Sequence, residues 1–213
     1  MEIDVAIQPA RRDARAKLLD AALALIRTNG YAGTSVEALC SAAGVTKGAF
    51  FHHFRSKDDL GVAAAEYWSE TTGALFEAAP YHAHDDPLQR VLGYVDFRRE
   101  LIRGATSEFT CLVGTMVQEV YATNPGLRAA CEASIVGHAG TLESDIAEAM
   151  RRYRVKGDWT ARSLALHTQA VLQGAFILAK ATGDPQAAED SVRHLRRYIE
   201  LLFRQSKTKE ARS

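Results

Sequence analysis

The sequence predicts an all-α protein: an N-terminal three-helix unit of helix-turn-helix type, then a longer helical body. Apolar residues recur at helical spacing along nearly all of the chain, and no segment shows strand-like alternation between turn residues. Before residue 60 the helix starts crowd together. After it, long alanine-rich runs are separated by proline and glycine breaks.

The first run, residues 11–28, places Leu18, Ala22, Leu25 and Ile26 on one face, and Asn29-Gly30 ends it with a glycine suited to a left-handed cap. Thr34 and Glu37 have capping-box spacing, so Thr34 is the expected cap of a short helix through Val36, Leu39 and Ala43 that stops at Gly44. Thr46 caps the next helix, over 47–54. Ser56 caps a fourth, with Asp58 and Asp59 in the first turn, where the helix dipole favours acids. The body reads as helices at about 57–78, 87–103, 108–121, 126–152, 159–181 and 186–204. The expected division is 1–56 for the helix-turn-helix unit, 57–205 for the body and 206–213 for a polar, disordered tail.

Composition narrows the function classes. With 47% hydrophobic and 24% charged residues among 213, the chain has globular composition, which excludes collagen-like and low-complexity scaffolds. No apolar run is long enough to span a membrane, and the start MEIDVAIQPARRD lacks the apolar core of a secretory signal. The expectation is therefore a cytoplasmic protein with no membrane partner. Cys40, Cys111 and Cys131 are widely spaced and form no C-x-x-C, so free thiols are expected, with no metal and no cofactor. His52 and His53 are adjacent and would point about 100° apart on a helix, which disfavours a metal pair. The sequence contains no G-x-S-x-G, P-loop, H-E-x-x-H or G-x-G-x-x-G, which speaks against an enzyme.

Charge is distributed unevenly. The chain is neutral overall, with 26 basic and 26 acidic residues, yet residues 11–57 hold eight Lys/Arg against three acids. That window is a local basic face, as a nucleic-acid-facing unit joined to an acidic body would have. Gly44 lets the chain reverse, and Cys40 and Ala43 are small enough for two short helices to approach, with Leu39, Val45 and Phe50 between them. The second helix then presents Thr46, Lys47, Gly48, Ala49, Phe51, His52 and His53. Its small first residues allow close approach to a major groove, and Lys47 suits phosphate. Helix-turn-helix geometry also occurs in all-α proteins that bind no DNA, so these features alone leave both readings open.

The run from Ala14 to Leu60 closely resembles the DNA-binding domain of the TetR (tetracycline-repressor) family. The resemblance is carried by A-x-x-L-I-x-x-N-G-Y-x-G-T-S-V at 22–36, by A-G-V-T-K-G-A-F-F-H-H-F ending at Phe54, and by S-K-D-D-L at 56–60. It implies a ligand-responsive regulator, most often a homodimeric repressor of a palindromic double-stranded DNA operator. It further implies that Thr34 and Ser35 touch phosphate, that Thr46, Lys47, Gly48 and Ala49 face the bases, that Phe51 and His52 touch the groove wall, and that Lys57 grips phosphate. Arg11, Arg12 and Arg15 would serve as a basic arm. Phe51 stands where the family often has tyrosine, and Cys40 where alanine is usual.

For the body the resemblance implies an effector pocket and a homodimer formed by the last two helices, about 159–181 and 186–204. Leu164, Val171, Leu172, Ala175, Leu178 and Ala179 form one stripe there, and Val192, Leu195, Ile199, Leu202 and Phe203 another. Periodicity fits these stripes equally to a dimer interface and to the subunit's own core. The candidate effector contacts are Trp68, Phe97, Cys111, Tyr121, His138, His167 and Gln173. No ionisable residue stands isolated in an apolar run, so the sequence points to a hydrophobic or aromatic effector without a specified charge. Cys111, in T-C-L-V-G-T, opens a helix, where a thiol gains thiolate character. The segment resembles the NemR-like branch of the family, whose motif it matches in part, and this implies an electrophile-sensing thiol. A small buried hydrophobe is the competing reading. The fourth helix joins both units and is the expected lever between them.

Overall fold

The computed structural model describes residues 13–210, with side chains through Arg204. Among the described residues the structure contains helices and one short 3-10 turn, and no strand. The head comprises α1 (Ala14–Asn29), α2 (Val36–Ala43) and α3 (Lys47–His53). The body comprises α4 (Lys57–Glu77), a 3-10 turn (Pro80–Ala83), α5 (Pro87–Glu100), α6 (Thr106–Phe109), α7 (Leu112–Val120), α8 (Pro125–Arg152), α9 (Ala161–Thr182) and α10 (Gln186–Glu210).

Side-chain oxygens start the first four helices as their residue types require. Asp13 Oδ1 accepts from the Ala16 amide at 2.7 Å, Thr46 Oγ1 from Ala49 at 3.1 Å and Ser56 Oγ from Asp59 at 3.1 Å. The cap of α2 is Ser35, whose Oγ accepts from Ala38 at 3.1 Å, and not Thr34. Thr34 is buried and donates its hydroxyl back to the Gly30 carbonyl at 2.7 Å, so it closes the preceding turn instead. Gly44 ends α2 in the left-handed conformation, φ 64° and ψ 39°. Gly30 has φ 80° but an extended ψ of 167°, so it redirects the chain rather than forming a left-handed cap.

The expected helix at 108–121 is two helices. Thr110 is extended, ends the single turn of α6, and Cys111 becomes the N-cap of α7. The last helix runs on to Glu210, past the stop expected near 204.

Two cores hold the molecule. The body core packs Val91, Tyr94, Leu142, Ile146, Leu172, Ala175, Leu195, Ile199 and Phe203 from α5, α8, α9 and α10. Ion pairs brace it: Arg90 to Asp145 at 2.8 Å ties α5 to α8, and Arg196 to Asp96 at 2.9 Å ties α10 to α5. The second core is shared. Leu18, Ile26, Leu39, Phe50, Phe54 and Leu60 pack with Leu112, Met116, Leu127 and Cys131 of α7 and α8. The head therefore borrows part of its core from the body.

The apolar stripes on α9 and α10 face inward. Leu164, Leu172, Ala175, Ala179, Val192, Leu195, Ile199 and Phe203 are buried within the subunit, and of the two stripes only Leu178 is largely exposed. A stripe of this period fills whichever surface it meets first, and here that is α5 and α8. The apolar residues left outside are Leu166, Ile177 and Leu178 on α9 and Tyr198 and Leu201 on α10.

The shared core predicts one unfolding transition for head and body. In urea, Trp68 beside the shared core and Trp159 beside the body core should report the same midpoint as helical circular dichroism. Met116→Ala, at a fully buried site, should lower that stability by about 2–5 kcal/mol without splitting the transition.

Candidate DNA-reading face and effector cavity

The head presents α3 by burying the opposite side of it. Phe50 and Phe54 lie fully inside, in mutual ring contact at 5.8 Å, whereas Phe51 is 56% exposed. Burying positions 50 and 54 turns Thr46, Lys47, Gly48, Phe51 and His52 outward, and all five are exposed. Ala49 is half-buried against the fold. Ser35 and Arg15 are exposed near the same surface, and the Arg15 guanidinium rests 5.7 Å from the Phe54 ring. Lys47 is paired with Glu37 across the α2–α3 turn; the hydrogen bond and charge raise the ammonium and lower the carboxylate from their ordinary values. Both side chains are more than half exposed, so a phosphate competes with Glu37 at little cost.

Two residues expected at phosphate are used internally. Thr34 spends its hydroxyl on Gly30. Lys57 Nζ donates to the carbonyls of Tyr31 at 3.0 Å and Thr34 at 3.2 Å and lies 4.4 Å from the centre of the Tyr31 ring. Arg11 and Arg12 lie outside the described residues.

The turn that Lys57 holds has two further ties. Tyr31 donates its hydroxyl to Asp58 at the start of α4, and the hydroxyl's own pKa is pushed up by burial and by that carboxylate. The Glu119 carboxylate of α7 accepts from the amides of Tyr31 at 2.9 Å and Ala32 at 2.7 Å. A Cβ on Gly30 would lie 2.6 Å from Glu119 Oε1, so glycine is needed there for the carboxylate to approach.

The body contains a cavity of about 360 Å³ walled by α4, α5, α6, α8, α9 and the start of α7. Of the expected contacts, Trp68, Cys111, His138 and Gln173 line it, together with Phe76, Arg98, Phe109, Ile135, Gln169 and Phe176, among others. Phe97 packs behind it on Phe76 and Tyr81. Tyr121 ends α7 and is 66% exposed, and His167 sits on the outer face of α9 against Tyr198, so neither reaches the cavity. A residue's type alone does not say which side of its helix faces in; Arg98 carries no signal for the cavity because it lies in the charged stretch Asp96–Glu100.

A buried polar chain runs along the cavity wall. Gln169 Nε2 donates to the Tyr94 hydroxyl at 3.1 Å, and that hydroxyl lies 2.9 Å from His138 Nε2. This contact engages His138 Nε2 and leaves Nδ1 as the ring nitrogen without a side-chain partner. Burial, aided by the charge of Arg98, lowers the His138 pKa to about 4. Cys111 is half-buried; its Sγ accepts from the Gly114 amide at 3.4 Å, and Arg27 and Lys180 are the cations in electrostatic reach of it. Cys40 and Cys131 are buried, and burial pushes the Cys131 thiol up to about 12. No cluster of three or more metal-ligating side chains occurs among the described residues.

Residues 18–64 match the family described as bacterial regulatory proteins, tetR family, and residues 87–195 match the tetracyclin repressor-like C-terminal domain. The transcriptional regulator AcuR of Cereibacter sphaeroides is 29% identical over 148 residues, which cover 70% of this chain and 66% of AcuR, so the chain spans just under two thirds of that relative. A solved TetR regulatory protein from Rhodobacter sphaeroides superposes with a TM-score of 0.77 at 27% identity, covering 86% of this chain and 97% of that one. The reduced form of E. coli NemR superposes with a TM-score of 0.74 over 86% of this chain and 95% of that one; at 22% identity this likeness is one of fold.

Because the folded-state His138 pKa lies below its ordinary 6.5, the unfolded chain takes up that proton first as pH falls. Stability is expected to fall between about pH 6.5 and pH 4 for this reason, and His138→Gln should flatten that segment of the profile. An NMR titration should show the His138 ring still neutral at pH 5.

Proposed function

Because the chain belongs to the tetR family of bacterial transcriptional regulators, which bind DNA through a helix-turn-helix, we propose that it is a homodimeric repressor released from a palindromic operator by a small effector. The observation that carries this reading is the outward face of α3. Thr46, Lys47, Gly48, Phe51 and His52 stand exposed on a helix whose other side is anchored by Phe50. Thr46, Lys47, Gly48 and Ala49 would read bases. Ser35, Arg15, Phe51 and His52, with the arm residues Arg11 and Arg12, would hold the backbone. Thr34 and Lys57 would act indirectly, by fixing the turn that sets α2 against α4.

A single short recognition helix needs a second copy at roughly one DNA turn, about 34–36 Å away. The exposed apolar residues Leu166, Ile177, Leu178, Tyr198 and Leu201 on adjacent helices supply a face for that copy. Gly174, with open space around it, suits close helix approach there.

Effector control follows from two struts that begin at the cavity and end at the Gly30–Thr34 turn. Helix α4 carries Trp68 and Thr72 in the cavity wall and Lys57 and Asp58 at the turn, about 15–23 Å away at helical rise. Helix α7 carries Cys111 and Val113 in the wall and Glu119 at the turn. A ligand that favours a displaced α4 or α7 by about 1.4 kcal/mol loosens operator binding tenfold. A thiol-directed effector is a second reading, favoured by the half-buried Cys111 thiol in the cavity wall.

Fluorescence anisotropy on DNA from immediately upstream of the gene tests this. The reduced protein should bind specifically, and Leu178→Asp with Tyr198→Asp should give a monomer by ultracentrifugation that binds at least about 100-fold more weakly. A double variant that stays dimeric, or a monomer that binds as well, contradicts the dimer face. Loss of binding with a mild electrophile, restored by re-reduction and absent in Cys111→Ser, selects the thiol reading; indifference to the electrophile leaves a non-covalent ligand.

A further inference from the structure

Arg98 is the unusual group in the cavity. It lies in the last turn of α5, half-buried, and its guanidinium carbon sits 5.1 Å from the Phe76 ring, 5.7 Å from Phe176 and 6.0 Å from Tyr94. Three rings thus surround the cation. Among the described residues no carboxylate pairs with it and no acceptor takes a hydrogen bond from it, although a guanidinium carries five N–H donors. The other basic residues of the body core differ: Arg90 and Arg196 each hold two carboxylates.

Neighbouring polar groups can donate as well. His138 has Nε2 engaged by the Tyr94 hydroxyl, and its Nδ1–H tautomer would offer that proton to a ligand. Gln173 adds an amide to the wall. The cavity's acid, Glu108, is already engaged: its Oε2 accepts from the Ala105 amide at 2.7 Å at the start of α6. The rest of the wall combines apolar and aromatic side chains, including Trp68, Phe109 and Ile135, with uncharged polar ones: Ser69, Thr72, Ser134, Thr141 and Gln169.

We propose that the cavity binds a small organic acid with a hydrophobic or aromatic body, its carboxylate held by Arg98 and His138. This rests on the effector reading above and assigns the ligand a charge that the sequence did not. A carboxylate fits the planar fork of the guanidinium, whose edge donors remain free when its faces are covered by rings. About 360 Å³ is at the small end of ligand cavities, which suits a single-ring or medium-chain acid.

The test pairs acids with their neutral amides: benzoate, phenylacetate, 3-phenylpropionate and hexanoate against the corresponding amides, by calorimetry on the full-length protein. At least one acid should bind roughly 10- to 100-fold more tightly than its amide. Arg98→Met keeps the packed stem, and its folding is checked by circular dichroism. It should bring that acid down to the affinity of its amide while leaving the amide unchanged; Arg98→Lys should retain part of the preference. Equal binding of acid and amide by the wild type, or a preference that survives Arg98→Met, overturns the proposal. Operator release separates the two levels. Amides that bind and release DNA while acids do neither would refute the anion and leave the effector cavity standing. Failure of both series to bind a protein that still holds its operator would count against both.

Discussion

The five residues from Gly30 to Thr34 are the point to which the rest of the molecule is tied. The Glu119 carboxylate takes the Tyr31 and Ala32 amides, Lys57 takes the Tyr31 and Thr34 carbonyls, and Asp58 takes the Tyr31 hydroxyl. Backbone groups that leave a helix end need partners, and here they find them on the body. The arrangement fixes α2, and through the shared core α3, relative to α4 and α7. The same two helices wall the cavity. In the proposed mechanism, an event at the cavity would reach α3 through the charged hydrogen bonds at this turn and through the shared core beside it.

The head was legible because its chemistry is local. Gly44 in the left-handed conformation, Thr46 and Ser56 as caps, and Phe50 and Phe54 inside with Phe51 outside all follow from residue type and spacing within a few positions. The misassigned cap shows the limit. Thr34 and Ser35 are both good caps, and what decides between them is the Gly30 carbonyl, which recruits Thr34. The α6–α7 break at Thr110 and the 3-10 turn at Pro80–Ala83 are equally short-range, but carry weaker signals than glycine.

The body was legible in its helices and not in its faces. Leu172 and Leu178 both belong to an apolar stripe of α9, yet one is buried and the other half exposed. Which side meets α5 and α8 is a tertiary fact that periodicity does not hold. The same gap hid the cavity's cation. Arg98 follows Asp96 and precedes Arg99 in sequence, which reads as a solvated helix end. Only the fold places Phe76 and Phe176 around it. It also places Tyr94 between Gln169 and His138, a polar chain assembled from three helices.

On the proposed mechanism, occupancy of the cavity loosens the Gly30–Thr34 turn. Hydrogen exchange at the Tyr31 and Ala32 amides measures it most directly, because both amides are bonded to Glu119 alone. Gly137 is exposed at the edge of the cavity with open space around its Cα, so Gly137→Trp adds a ring at the cavity mouth without any added ligand. These two amides should exchange at least about tenfold faster in the variant, in step with weaker operator binding, while amides in the core of α9 keep their protection. Weaker operator binding with both amides as protected as in the wild type would contradict it.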